Sequence, residues 1–205
     1  MNTLQASVSE LVPALHPLDA PPDGPCWNLD ELDGLLDGDS LVDAAVLVGL
    51  VPREEGLQVV LTRRTDRLRN HGGQVSFPGG RTEPGDADVR AAAIREAGEE
   101  IGLDEAQIRP LGYLDPLATI TGFRVTPLVA LIAADYQALP DPGEVAEVFE
   151  VPLALLLDPD RLERRELEFR GRIRHVFEYR YPAQRIWGAT ASMLYNLRQR
   201  LEGVR

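Results

Sequence analysis

The chain contains no lysine; all 21 of its basic residues are arginine. That excludes Schiff-base chemistry on a lysine amine, and it excludes the phosphate-gripping lysine of a P-loop. A lone cysteine, Cys26, leaves no internal disulfide and fits a reducing compartment. No histidine or asparagine is placed to make it a nucleophile, so it reads as a small packing or surface thiol. No apolar run approaches the roughly 20 residues that cross a bilayer. The first thirty residues carry acids, prolines and a tryptophan instead of a basic start and an apolar signal core, which predicts a cytoplasmic protein without membrane attachment. Positive charge is scarce as well. Thirty-three acidic residues outweigh the arginines to give −12 at pH 7, which opposes general binding to nucleic acid or anionic membrane. A small phosphorylated substrate is still admissible, because it answers to local charge.

What is present is ordinary for a globular protein: 205 residues, 44% hydrophobic and 26% charged, enough for one domain with an extension. Residues 1–41 hold Pro13, Pro17, Pro21, Pro22 and Pro25 and then an acidic stretch, so they read as a partly irregular N-terminal extension with short helical turns at most. The domain occupies 42–205. Ala44–Val51 is a continuous apolar run and Leu57–Thr62 follows a Pro-Arg-Glu-Glu-Gly turn, predicting a hairpin of buried strands. A short strand at Gln74–Phe77 leads into Pro78-Gly79-Gly80. The spacing of Val89, Ala93, Ala97 and Ile101 predicts a helix over 88–101, capped by Asp86 or Asp88 and stopped by Gly102. Further strands are expected at Gly112–Asp115, Val125–Ala133 and Leu167–Tyr181, and a closing helix from Ala183 through Leu201. Strands with interspersed helices predict an α/β fold, an α/β/α sandwich around a mixed β-sheet.

Chemistry concentrates on the middle helix. Glu96, Glu99 and Glu100 stand at i, i+3 and i+4, within an arc of about 100°. Like charges at i, i+4 repel, and no arginine lies four residues beyond any of them. Two readings are open: a solvated acidic face, or a carboxylate set for a hard, oxygen-ligated cation such as Mg²⁺ or Mn²⁺. Arg95, directly before the cluster, can fix a carboxylate by a bidentate bond. The glycines Gly79 and Gly80 allow close backbone approach and can present amides to a phosphate. Arg63, Arg64, Arg67, Arg69 and Arg81 face only Asp66 as an acid between 63 and 81, a local excess of four positive charges. These arginines are either scattered surface charge or a clamp for substrate phosphates.

Gly80-x5-Asp86-x8-Arg95-Glu96-Ala97-Gly98-Glu99-Glu100-Ile101-Gly102-Leu103 resembles the Nudix box, with Asp in place of its first Glu, one extra residue before the arginine, and a mid-helix glycine. Val60-Leu61-Thr62-x-Arg64-Thr65-x3-Arg69-x3-Gly73-x3-Phe77-Pro78-Gly79-Gly80 is similar to a second signature, that of the coenzyme A diphosphatase branch. That branch shares the extra residue. Thr121-Gly122-Phe123, Glu144-Val145-x-Glu147-Val148-Phe149 and Ile186-Trp187-Gly188-x-Thr190-Ala191 also resemble it, so the likeness runs from about Val42 to Leu201. It implies a hydrolase splitting the diphosphate of coenzyme A or a derivative. Glu96, Glu99 and Glu100 would ligate Mg²⁺ or Mn²⁺, and Arg95 would orient them. Arg64, Arg69, His71, Gly79, Gly80 and Arg81 would meet the substrate. A helix glutamate, Glu144 or Glu147 would be the general base, unless the last two are plain exposed helix acids. Another nucleoside diphosphate derivative as substrate, or a Nudix-like domain that binds without turnover, stays open. The only partner implied is the small-molecule substrate; a homodimer is compatible with the sequence and not required by it.

Overall fold

The structure, a computed structural model, describes residues 7–32, 36, 40–67, 71–169, 171–182 and 184–203. A short helix, α1 (Val8–Leu11), comes first, followed by two 3-10 turns. Next come β1 (Val42–Arg53), β2 (Gly56–Arg64), β3 (Val75–Ser76), β4 (Gly79–Arg81) and helix α2 (Val89–Ile101). Then follow β5 (Ile108–Tyr113), β6 (Leu117–Ala118), β7 (Phe123–Ile132), β8 (Val145–Pro152) and the short α3 (Leu153–Leu156). The chain ends with β9 (Leu162–Phe169), β10 (Arg172–Tyr179), β11 (Ile186–Trp187) and α4 (Ala189–Gly203).

Among the described residues, eight strands form one mixed sheet and β9–β11 a second, three-stranded one. β1 is central: it runs parallel to β7 over nine residue pairs and antiparallel to β2 at their shared turn. Beyond Leu50 and Val59 the two arms of that hairpin diverge, and Val75–Arg81 fills the gap, β3 pairing β2 and β4 pairing β1. This wedge carries the glycines to the middle of the sheet. Period-2 alternation explains why β1 reads as an unbroken apolar run. Its odd-numbered Ala45, Leu47 and Val51 pack under α2, and its even-numbered Ala44, Val48 and Leu50 face the opposite core. On the α2 side, Ala93, Ala97 and Ile101 are fully covered, as the four-residue spacing requires, with Ala92 covered beside them and Val89 partly so. On the other side, α3, α4 and residues of the N-terminal segment cover the sheet, giving the three-layer α/β/α sandwich. No helix of the described residues is long and apolar enough to cross a membrane.

Several expected elements are corrected. Leu167–Tyr181 is not one strand: β9 and β10 form a hairpin with Gly171 at φ 73°. The closing helix begins only at Ala189, because Ile186 and Trp187 pair with β10; Ala183 lies outside the described residues. The strand expected at Gly112–Asp115 lies earlier, at Ile108–Tyr113. Glu147 and its neighbours are not helical, since β8 lies antiparallel along β2.

Candidate active site

Helix α2 is built to stand still over the sheet. Asp88 caps its start, accepting a bond from Ala91 N at 2.8 Å, and Gly102 closes it in the left-handed region at φ 67°. Its last carbonyls are taken by the loop that follows β7: Leu139 N donates to Ile101 O at 2.8 Å, and Asp141 N to Glu100 O at 2.9 Å. The far end of that loop is tied to the residue just after β2, through Thr65 N to Glu144 O (2.9 Å) and Thr65 Oγ1 to Gly143 O (3.3 Å). Glu144 is thereby delivered beside the glutamates of α2. Residue spacing alone gives no sign of this loop; Glu144 is a candidate in the sequence only through the family resemblance.

Of the three helix glutamates, Glu100 is the buried one, its side chain 4% exposed. Its Oε2 accepts a bond from Gly79 N at 3.2 Å, and its Oε1 lies 3.2 Å from Arg64 Nη1. Burial pushes its carboxyl up to about 7 against the pull of Arg64 and the Gly79 amide, and the nearby Glu144 and Glu96 push the same way. Glu96 rests directly on Gly80, where an added Cβ would come within 2.5 Å of Oε1. Burial raises its carboxyl too, partly offset by Arg95. Glu99 points outward, 61% exposed.

Arg95 organises the front of the site. Its Nε and Nη2 grip Asp86 bidentately at 2.9 and 3.1 Å, its Nη1 reaches Glu96 at 3.0 Å and Glu99 at 3.1 Å, and its Nη2 also donates to Arg81 O at 3.0 Å. Five donors meet five acceptors, which only a guanidinium can do. The carboxylate fixed bidentately is therefore Asp86 and not a helix glutamate. Asp86 is also held by Glu83 N at 2.7 Å, and Arg95 keeps its carboxyl below the usual carboxylate range.

The remaining candidates separate. Arg64 bridges Glu100 and Glu144, at 3.2 and 3.4 Å. Glu147 lies on the opposite face of the sheet, against Arg63 (3.5 Å) and Gln184 (2.8 Å). This follows from strand alternation, since Arg63 and Arg64 are neighbours on β2. His71 is exposed in the turn before β3, at φ 60°, with Nδ1 2.9 Å from Gln74 Oε1. Arg81 is exposed and meets the site through its carbonyl. Arg69 lies outside the described residues.

Among the described residues no three His, Cys, Asp or Glu side chains are grouped to hold one ion as they stand; each helix glutamate is paired with an arginine. The donor chemistry nevertheless fits a hard divalent cation. It consists of carboxylate oxygens alone, and Glu100 is a buried acid whose charge is under-compensated.

The profile of the NUDIX domain matches residues 43–171. The chain is 38% identical over 159 residues to the uncharacterized Nudix hydrolase NudL of Photorhabdus laumondii, covering 78% of this chain and 84% of that one. It is 39% identical over 158 residues to the protein of the same name from Yersinia pestis, covering 77% and 79%. A solved Nudix hydrolase from M. smegmatis, RenU, is similar at 26% identity and a TM-score of 0.48, over 57% of this chain and 73% of that chain. On the profile match and the two NudL relatives, the chain belongs to the Nudix hydrolases, enzymes acting on diphosphate anhydrides.

Proposed function

We propose that the protein hydrolyses the diphosphate of coenzyme A or a derivative, with Mg²⁺ or Mn²⁺ held by Glu96, Glu99 and Glu100, giving adenosine 3′,5′-bisphosphate and 4′-phosphopantetheine or its acyl form. One observation carries this reading: the two signatures meet at one carboxylate. Arg64 and Gly79, from the upstream signature that resembles the coenzyme A branch, both bond Glu100 of the Nudix box. These bonds support the reading that the residues tied to that branch border the reacting centre.

A divalent cation, when bound, neutralises the diphosphate oxygens and makes a water acidic enough to attack near neutral pH. The chain's own residues do the rest. Arg95 holds Glu96 and Glu99 toward the same side of α2 while Asp86 anchors the guanidinium from behind. Gly79 N fixes the orientation of Glu100. In this reading Glu144, half exposed and sharing Arg64 with Glu100, takes the proton of the attacking water; Glu147 lies across the sheet, against Arg63 and Gln184. Arg64 and Arg81 supply positive charge toward the substrate phosphates.

The test is product analysis after incubation with coenzyme A and Mg²⁺ or Mn²⁺, beside ADP-ribose and diadenosine polyphosphates. Metal-dependent release of adenosine 3′,5′-bisphosphate, fastest from coenzyme A, is the expected result. Cleavage of the other substrates alone would overturn the coenzyme A assignment and leave the Nudix chemistry in place.

A further inference from the structure

We infer that Arg64 is an exchangeable counter-ion: it neutralises Glu100 and Glu144 when no cation is bound, and on cation binding it moves to the substrate diphosphate. The inference rests on the metal-site reading above and assigns Arg64 a substrate-binding role in that site.

When ionised, a carboxylate as covered as that of Glu100 needs a positive partner, because an unpaired buried charge is severely penalised. Among the described residues the guanidinium of Arg64 is its ion-pair partner. The pairing is loose. Its contacts, 3.2 Å to Glu100 and 3.4 Å to Glu144, are longer than every bond that Arg95 makes. Arg95 is the contrast: its five bonds span 2.9–3.1 Å and leave no donor idle, so it cannot leave without stranding Asp86. Arg64 has two side-chain partners on the same two acids that a cation would attract.

A guanidinium and a divalent ion repel each other and compete for Glu100, so cation binding drives Arg64 outward. Its route is open on the Glu144 side, since that carboxylate is half exposed. Its base is fixed, because the neighbouring Thr65 is bonded to Gly143 and Glu144. The head therefore swings about a stationary backbone and stays over the site. A planar fork then suits two oxygens of a diphosphate. The same departure frees Glu144, coupling cation binding to the availability of the proton acceptor.

The experiment compares the wild type with Arg64→Met, in which the side chain keeps its bulk and loses its charge. Mn²⁺ affinity is measured by calorimetry without substrate, and the melting temperature with and without Mn²⁺. Removing the competitor should tighten Mn²⁺ binding about two- to fivefold, the loss of a partly exposed ion pair. The metal-free variant should melt lower, and Mn²⁺ should raise its melting temperature more than it raises the wild type's. KM for the diphosphate substrate should rise more than kcat falls. Unchanged or weaker Mn²⁺ binding by the variant would overturn the exchange while leaving the metal site intact. Absence of Mn²⁺ binding by the wild type would remove the metal site and this inference together. Should Arg64→Met not fold, arginine side-chain NMR of the wild type decides: the Arg64 guanidinium signals should shift on adding Mg²⁺ and again on adding a non-hydrolysable methylene diphosphonate. Signals indifferent to Mg²⁺ would overturn it.

Discussion

Two adjacent glycines in the same short strand do different work, and a methyl group tells them apart. A Cβ on Gly79 would lie 2.4 Å from Ala45 O and 2.6 Å from Val46 Cα, which are backbone atoms of the central strand and cannot yield. A Cβ on Gly80 would meet first the carboxylate of Glu96, the end of a flexible side chain. Gly79→Ala should therefore destabilise the fold, by about 1–3 kcal/mol as for other overpacked sites, with a lower melting temperature. Gly80→Ala should melt near the wild type yet turn over at least about tenfold more slowly, since a displaced carboxylate is costly to positioning. Equal loss of stability in the two variants would contradict the distinction. Arg95→Lys makes a related point. An ammonium offers three donors and no fork, so the bidentate grip on Asp86 and the hold on Glu96 and Glu99 cannot coexist. Turnover should fall by about two orders of magnitude, and an Arg95→Lys enzyme of normal kcat would show the constellation to be dispensable.

Elements that declare themselves in their own residues were legible before the structure. β1 announces itself because both of its faces are buried, and α2 because its apolar stripe, its Asp cap and its stop glycine all agree. Helix α2 also yields a prediction at this scale. Asp88→Ala removes the bond to Ala91 N and should cost about 1 kcal/mol, a drop of a few degrees in melting temperature with little change in kcat, because the cap is at the end remote from Glu99 and Glu100. Elements defined by distant partners were not legible. β4 is Gly-Gly-Arg, with no side-chain pattern, and becomes a strand only because Ala44–Val46 pair with it. β8 hides behind two acids that break its alternation; Glu147 and Glu150 are neutralised by Arg63 and Arg53 from other strands. The site divides in the same way. Glu96, Glu99, Glu100 and Arg95 are local to one helix, where the likeness to the Nudix box marks them as candidates although their spacing alone leaves a solvated acidic face open. The bidentate partner of Arg95, nine residues upstream, and the loop that delivers Glu144 are products of tertiary closure.

At the scale of the whole molecule, the N-terminal segment ahead of β1 is fastened to the domain at several points. Leu11, Ala14 and Leu15 enter the core opposite α2, His16 bridges Tyr113, and Asn28 exchanges two bonds with Ala118 at 2.9 and 2.8 Å. The fastening converges on Asp115. Its Oδ1 lies 2.7 Å from His16 Nε2 and 2.7 Å from Arg200 Nη1, its Oδ2 accepts from Asn196 Nδ2 at 2.9 Å, and Arg200 also reaches Ala14 O at 2.5 Å. One carboxylate thus joins the N-terminal segment, the turn after β5 and α4. Burial pushes its carboxyl up, but the bonds from His16, Asn196 and Arg200 outweigh burial and hold it below its ordinary value of 3.8. A carboxyl depressed by folding stabilises the folded state above its unfolded value and loses that contribution as pH falls through the folded one. Asp115→Asn should therefore lower the melting temperature at pH 7, and the gap to the wild type should narrow as pH drops below 3.8. Other carboxylates titrate in the same range in both proteins, so the difference between the two melting curves isolates Asp115. A gap that stayed constant from pH 7 down to the acid limit would mean that the charge of Asp115 does not hold the segment in place.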